Sequence, residues 1–223
     1  MIVISLGGSV IVPDKPDYIF LKKFKKLIYK ESKKDKIIIC TGGGKTARDY
    51  ISALEKEKLS EYVRDLVGIE CTRLNAKLLS SFLGNICNKE IPKELEEAAD
   101  MLKNNKVVVC GGLSVGRTSD GTTAQIADYL NSGAFINITN VKGLYNKDPK
   151  KFKNARLIKK ISYKELGKMM GKIKEKPGQH FIIDSLALEL CENEKIKIFI
   201  IGKDIKNIER TIKGKKFIGT VIE

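Results

Sequence analysis

The chain has 223 residues, 42% hydrophobic and 31% charged, a balance that excludes a disordered chain and allows a buried core without disulfide or metal staples. Lysine and arginine number 42 against 27 acidic residues, a net charge of +15, so the partners it attracts are anions: nucleic acid, acidic lipid or phosphorylated small molecules. No apolar run approaches the ~20 residues that span a bilayer, and the opening MIVISLGGSV has neither a basic leader nor a cleavage site, which predicts a cytoplasmic protein that does not engage a membrane.

Ile2–Leu6 is the first of six short apolar, β-branched runs, followed by Ile37–Cys40, Val107–Cys110, Ala134–Thr139, Ile196–Ile201 and Phe217–Ile222. Runs of this length and composition suit strands buried on both faces. Helical patterns lie between them. Asp17 can cap a helix carrying Phe20, Phe24, Leu27 and Ile28 on one face. Ile51 and Leu54, then the stretch from Leu59 to Leu83, continue the helical periodicity, the latter as an interface or a core helix. Pro92 suits the first turn of a helix running to about Leu102. Ser162–Met170, Asp184–Cys191 and Asp204–Ile212 complete the helices. Strands alternating with helices predict one mainly parallel, doubly wound sheet in a single domain, 1–223, without a linker. The lysine- and glycine-rich segment from Lys147 to Gly178 reads either as a flap over a site or as a surface excursion.

The lysine runs Lys22, Lys23, Lys25, Lys26 and Lys33, Lys34, Lys36 read as solvated faces without the interleaved aromatics that stack bases, so nucleic acid is not an expected partner. Five cysteines occur without a C-x-x-C pair, which favours free thiols in a reducing compartment. Cys40 and Cys110 end apolar runs and are expected to be buried. His180 is the one histidine, and no G-x-S-x-G elbow occurs. The chemistry is therefore expected to rest on positioning and charge.

In a doubly wound sheet, ligands bind beyond the carboxyl ends of the strands. Gly7, Gly8 and Ser9 follow the first run; Gly42, Gly43, Gly44 and Lys45 follow the second; Gly111 and Gly112 follow the third and open the loop LSVGRTSDG. Glycine lets backbone N–H groups approach an anion, and a helix N-terminus favours a phosphate. Neither G-x-x-x-x-G-K-[ST] nor G-x-G-x-x-G is present, which excludes the P-loop and dinucleotide fingerprints. Lys45, Arg48 and Arg117 lie beside these loops in sequence. On the long helix, Asp65, Gly68, Thr72 and Ala76 share one face, within about 80° of arc. That face suits hydrogen bonding to a ribose, or close packing through Gly68 and Ala76, which would not need Asp65.

TNVKGLYNKDP (139–149) closely resembles the T-[DN]-V-x-G-[LV]-Y-x-x-D-P nucleotide-binding stretch of the amino acid kinase family. LGGSV (6–10) and TGGGKTAR (41–48) match that family's first two glycine loops. RDLVGIECTRLNA (64–76) resembles the D-x-x-G-x-x-x-T-x-x-N-A helix of its uridylate kinases, IIDSLALELCENEKIKIFII (182–201) resembles their late helix–strand unit, and the VPDKP segment looks like the archaeal branch. The resemblance implies an α/β fold, a three-layer αβα sandwich with a mainly parallel central sheet, and transfer of the γ-phosphate of ATP to UMP in pyrimidine nucleotide biosynthesis. It implies ATP phosphates on Gly8, Ser9, Gly44 and Arg48, and adenosine on Thr139, Asn140, Val141, Tyr145 and Asp148. It implies UMP on Gly43, Asp65 and the loop Leu113, Ser114, Val115, Gly116, Arg117, Thr118 and Ser119, running on to Asp120. It further implies Mg²⁺ carried by ATP phosphates rather than by protein ligands, and a homo-oligomer, a hexamer in the uridylate case.

Many members of the family carry a lysine in the first loop where this chain has Ser5. Lys176 and Lys45 are the candidates to replace its charge, and with Arg48 and Asp120 they form the expected catalytic set. Asp120 either organises lysines, binds substrate, or caps a helix starting near Thr122. A related small-molecule kinase such as isopentenyl phosphate kinase is the alternative within the family. Isopentenyl phosphate kinases place a histidine in the second glycine loop, where this chain has Gly43 and Gly44. Outside the family, the alternative is a non-catalytic nucleotide- or RNA-binding module drawing on the positive charge.

Overall fold

The structure, a computed structural model, describes residues 1–149, 151–173 and 183–223. In chain order the elements are β1 (Ile2–Leu6), α1 (Gly8–Ile11), α2 (Tyr18–Glu31), β2 (Ile37–Thr41), α3 (Gly44–Lys56), α4 (Glu61–Leu83), α5 (Leu95–Asn104) and β3 (Val107–Cys110). There follow α6 (Ser119–Tyr129), β4 (Ala134–Thr139), β5 (Lys160–Ile161), α7 (Tyr163–Ile173), α8 (Ser185–Asn193), β6 (Lys197–Gly202), α9 (Ile205–Ile212) and β7 (Gly219–Ile222). Among the described residues the strands form one seven-stranded sheet in the order β3-β2-β1-β4-β6-β7-β5. Every pairing is parallel except β6 with β7.

Alternate residues of the central strands feed two cores. Val3, Ile38, Cys40, Val108 and Phe135 pack against α5, α6, α7 and α8. Ile4, Leu6, Ile37, Ile39 and Ile138 pack against α1, α2, α4 and α9 on the other face. The result is the three-layer αβα sandwich with a mainly parallel sheet. Burial of each such side chain contributes about 1.5–3 kcal/mol, which is why strands of only four to six residues suffice. All five cysteines are buried and unpaired.

Local signals set most boundaries. Asp17 caps α2 by accepting from Phe20 N at 3.0 Å, and Asp204 caps α9 through Asn207 N at 2.8 Å. The structure corrects several expectations. Pro92 lies ahead of α5 rather than in its first turn, because Glu94 stands at the cap and Glu97 reaches back to Lys93 N at 2.7 Å. Asp120 is not a cap: α6 starts at Ser119, and Thr118 takes that role by accepting from Gly121 N at 3.1 Å. The 147–178 region is no bare excursion where it is described, since Ile161, Leu166 and Met170 are buried in the first core. Its two-residue strand β5 is too short to leave a periodic signal. Around Lys22, Lys25 and Lys26 stand Tyr18, Tyr29 and Phe82 in one groove, with Lys22 Nζ 5.8 Å from the Tyr18 ring centroid, so that lysine face is interleaved with aromatics. Among the described residues no helix is long and apolar enough to cross a membrane.

Candidate active site

β1 and β2 deliver the first two glycine loops to the same rim, where Gly42 N donates to Leu6 O at 3.0 Å and Gly7 N donates to Ile138 O at 3.0 Å. The loops then touch main chain to main chain. A Cβ on Gly8 would lie 2.3 Å from both Gly42 O and Gly44 N, and Gly44, at φ +66°, would bring one within 2.6 Å of the Gly8 carbonyl carbon. Only glycine satisfies both constraints. The loops release directly into α1 and α3, so the N-terminal N–H groups of α3 open at the junction. Arg48, one turn into α3, donates from Nη2 to Ser9 Oγ at 3.2 Å, placing a guanidinium over the first loop. Lys45 pairs instead with Asp49 at 2.7 Å and Asp14 at 3.7 Å; the Asp49 carboxylate holds its ammonium above the ordinary lysine range.

The third loop is held from α4. Gly112 N donates to Thr72 Oγ1 at 2.6 Å, and Gly116 N donates to Asp65 Oδ2 at 2.8 Å. One turn further, Asn75 Nδ2 donates to Gly42 O at 2.8 Å, so the same helix also supports the second glycine loop. The expected face of α4 therefore divides its work. Asp65 and Thr72 hold the loop, Gly68 packs beside Ile51, and Ala76 is buried in the second core. Ser114, Val115, Gly116 and Arg117 are exposed and Leu113 half-buried, at the lip between α4 and α6.

At the far end of that loop, Thr118 donates to Asp184 Oδ2, and Asp184 Oδ1 caps α8 by accepting from Ala187 N at 2.9 Å. Thr118, Asp120 and Asp184 line a cleft of about 580 Å³ between α6, α7 and α8. Asp120 Oδ1 accepts from Ser5 Oγ at 2.8 Å and from Asn137 Nδ2 at 3.1 Å. Ser5 and Asn137 are register partners on β1 and β4, so the carboxyl sits on the seam between two central strands. Burial, reinforced by the like charge of Asp184, pushes Asp120 up to about 7, against the lowering effect of its two hydrogen bonds. Among the described residues no ion pair joins Asp120 to a lysine or arginine. Lys176 and His180 lie outside the described residues.

Beyond β4, Thr139 Oγ1 accepts from Val141 N at 3.0 Å, and Leu144 N donates to Thr220 Oγ1 at 2.8 Å, which folds 139–149 back along the β7 side of the sheet. Asn140 is exposed there, while Tyr145 and Asp148 are half-buried. Asn75, Asn137 and Asp184 carried no assigned site role in the sequence. Asn137 had a signal, a lone amide inside the apolar run AFINIT, and Asn75 belonged to a recognised motif. Among the described residues no three His, Cys, Asp or Glu side chains converge to hold a metal ion.

Residues 1–202 match the amino acid kinase family. The chain is 39% identical over 223 residues to the uridylate kinase of Pyrococcus abyssi, covering 100% of this chain and 99% of that protein. It is 36% identical over 223 residues to the uridylate kinase of Thermococcus kodakarensis, with the same coverage. The crystal structure of uridylate kinase from Archaeoglobus fulgidus superposes with a TM-score of 0.87 at 35% identity, covering 100% of both chains. That of UMP kinase from Ureaplasma parvum, at 21% identity over 100% of this chain and 97% of that one, shares the fold with a TM-score of 0.79. Sheet order, glycine loops and end-to-end similarity converge on one conclusion: the chain belongs to the amino acid kinase family.

Proposed function

We infer that this chain is an ATP-dependent UMP kinase, a single amino acid kinase-like domain over 1–223 that converts UMP and ATP to UDP and ADP. The observation that carries the reading is the rim itself. Two glycine loops meet backbone to backbone under Arg48, and a third loop, pinned by Asp65 and Thr72, faces them across the end of the sheet. That is room for two polyanions laid end to end. ATP phosphates rest on Gly8, Ser9, Gly44 and Arg48, and adenosine on Thr139, Asn140, Val141, Tyr145 and Asp148. UMP takes Gly43, Asp65, the 113–119 loop and Asp120.

The second pKa of a phosphate monoester is about 6, so at neutral pH an oxygen of UMP is already a nucleophile and no general base is needed. It attacks the γ-phosphorus, a new P–O bond forms, the bond to the β,γ-bridging oxygen breaks, and ADP leaves with that electron pair. Catalysis is then alignment and charge stabilisation by backbone N–H groups and cations. Mg²⁺, which needs few protein ligands, would be carried mainly by the nucleotide phosphates and would supply charge neutralisation between them. The enzyme works in the cytoplasm as a homo-oligomer, a hexamer in our reading. Exposed Tyr50, Leu59, Tyr62, Leu66 and Leu74 along α3, α4 and the turn between them support an interface there.

The test is ADP release with a panel of acceptors: UMP, CMP, dUMP, isopentenyl phosphate and acetylglutamate. UMP should lead by a wide margin, with no ATP consumed in its absence. Equal or better use of a non-nucleotide acceptor would overturn the assignment.

A further inference from the structure

The solvent side of α2 carries a feature that the proposed reaction does not use. Tyr18, Lys22, Lys25, Lys26 and Tyr29 recur at helical spacing, within about 100° of arc and roughly opposite the buried Phe20, Phe24, Leu27 and Ile28. With Phe82 of α4 they line a groove of about 510 Å³. None of the six is among the residues assigned above to ATP or UMP.

Two properties set this groove apart from an ordinary solvated helix face. The first is uncompensated charge. Lys22 stands three and four residues before Lys25 and Lys26, a like-charge spacing that weakens a helix, and among the described residues no ion pair reaches any of the three. The acids at the two ends of the helix are already engaged, Asp17 by Lys203 at 3.2 Å and Glu31 by Lys213 at 3.4 Å, and no other acid lies between them. The second is exposed aromatic surface. Tyr18 and Tyr29 are 60% and 49% exposed, although a ring left in water forgoes the gain of burial. The Tyr18 ring is held edge-on by Phe82, with centroids 6.1 Å apart and planes at 63°. Lys22 Nζ lies 5.8 Å from the Tyr18 centroid, and Lys33 Nζ lies 4.9 Å from that of Tyr29. The helix rises about 16 Å from Tyr18 to Tyr29, with Lys22, Lys25 and Lys26 between the two rings.

Flat rings alternating with ammonium groups along a groove match a polymer that alternates flat bases with phosphates. We propose that this face of α2 binds single-stranded nucleic acid, with bases stacked on Tyr18 and Tyr29 and the intervening phosphates on Lys22, Lys25 and Lys26. A lone nucleotide is too short to engage both rings. A duplex keeps its bases inside and gives the rings nothing to stack on. An acidic peptide would use the lysines and leave the rings idle. Stacking and phosphate contacts tolerate any sequence.

Binding of a dye-labelled oligouridylate of about twelve nucleotides, without a terminal phosphate, is measured by fluorescence anisotropy on the intact protein. UMP and ADP are present in excess, so that any oligonucleotide in the kinase site is displaced. The logarithm of the affinity should fall with the logarithm of salt concentration with a slope of about −2, which corresponds to roughly three phosphate contacts. Lys22→Glu/Lys25→Glu/Lys26→Glu should weaken binding about tenfold or more and flatten that slope. Tyr18→Ala and Tyr29→Ala should each weaken it about tenfold with the slope kept, and Tyr18→Phe should bind as the wild type does. A duplex of the same length should bind about tenfold more weakly than the single strand. UMP-dependent ADP release should be unchanged in every variant, so this proposal and the kinase reading stand or fall separately. Displacement of the oligonucleotide by UMP and ADP overturns the proposal. So does an equal loss in the control Lys56→Glu/Lys89→Glu/Lys93→Glu, or tyrosine-to-alanine variants that bind as the wild type does. A changed oligomeric state in the triple α2 variant overturns it as well, by making the groove a contact between copies of this chain.

Discussion

On the β1–β2 side of the rim, Gly8 and Gly42–Gly44 meet through their main chains, whereas on the β3 side the loop from Gly111 to Gly116 is held by the side chains of Asp65 and Thr72. The first side is rigid by exclusion: no atom beyond the backbone fits between the loops. The second starts from a close approach as well, since a Cβ on Gly111 would lie 2.7 Å from Arg73 N, but beyond Gly111 it is held by attachment, through two polar contacts from one helix. Alanine at Gly8 should therefore break the first side and leave most of the second intact, while deleting the Thr72 hydroxyl should do the reverse.

The largest effect is expected from Gly8→Ala. Its Cβ would lie 2.3 Å from two backbone atoms that cannot rotate aside, so both loops must separate, at a cost of about 3 kcal/mol or more. Thermal melting should show that loss, and turnover should fall about 100-fold because the phosphate-binding groups move by a large fraction of an ångström. Thr72→Val comes next. It keeps the shape of the side chain but leaves Gly112 N without its partner, a loss of about 1–3 kcal/mol. Steady-state kinetics should show a raised KM for UMP with KM for ATP nearly unchanged; equal changes in both would mean that α4 does not separate the two sides. Arg48→Ala should cost the fold least, within about 0.5 kcal/mol, since the side chain is exposed. Its turnover should nevertheless slow with ATP, and unchanged kinetics would remove Arg48 from the site.

The same contrast explains what the sequence disclosed. The glycine loops were legible because exclusion leaves a composition: where a backbone must touch a backbone, the residue is written as Gly. The buried strands were legible because the apolar runs are short and β-branched. The attachments were harder to read. Thr72 and Asp65 stood on a recognisable helix face, but their partners are main-chain N–H groups, which every residue carries and no letter marks. Asp120 illustrates the limit: its neighbours Ser5 and Asn137 lie 115 and 17 positions away along the chain, and strand register alone makes them neighbours. The start of α5 was misplaced for a related reason, since Glu97 reaching back to Lys93 outweighed the preference of Pro92 for a first turn.

The buried cysteines have a practical corollary. Attack on a disulfide or an alkylating reagent requires an exposed thiolate, yet Cys71, Cys87, Cys110 and Cys191 are all held above their ordinary range by burial or close neighbours, and Cys40 is enclosed in the sheet. The native fold should be silent toward a thiol-reactive dye, and each molecule should become reactive only when it opens. The rate of labelling would then serve as a built-in clock for unfolding, needing no engineered probe and readable while the enzyme turns over.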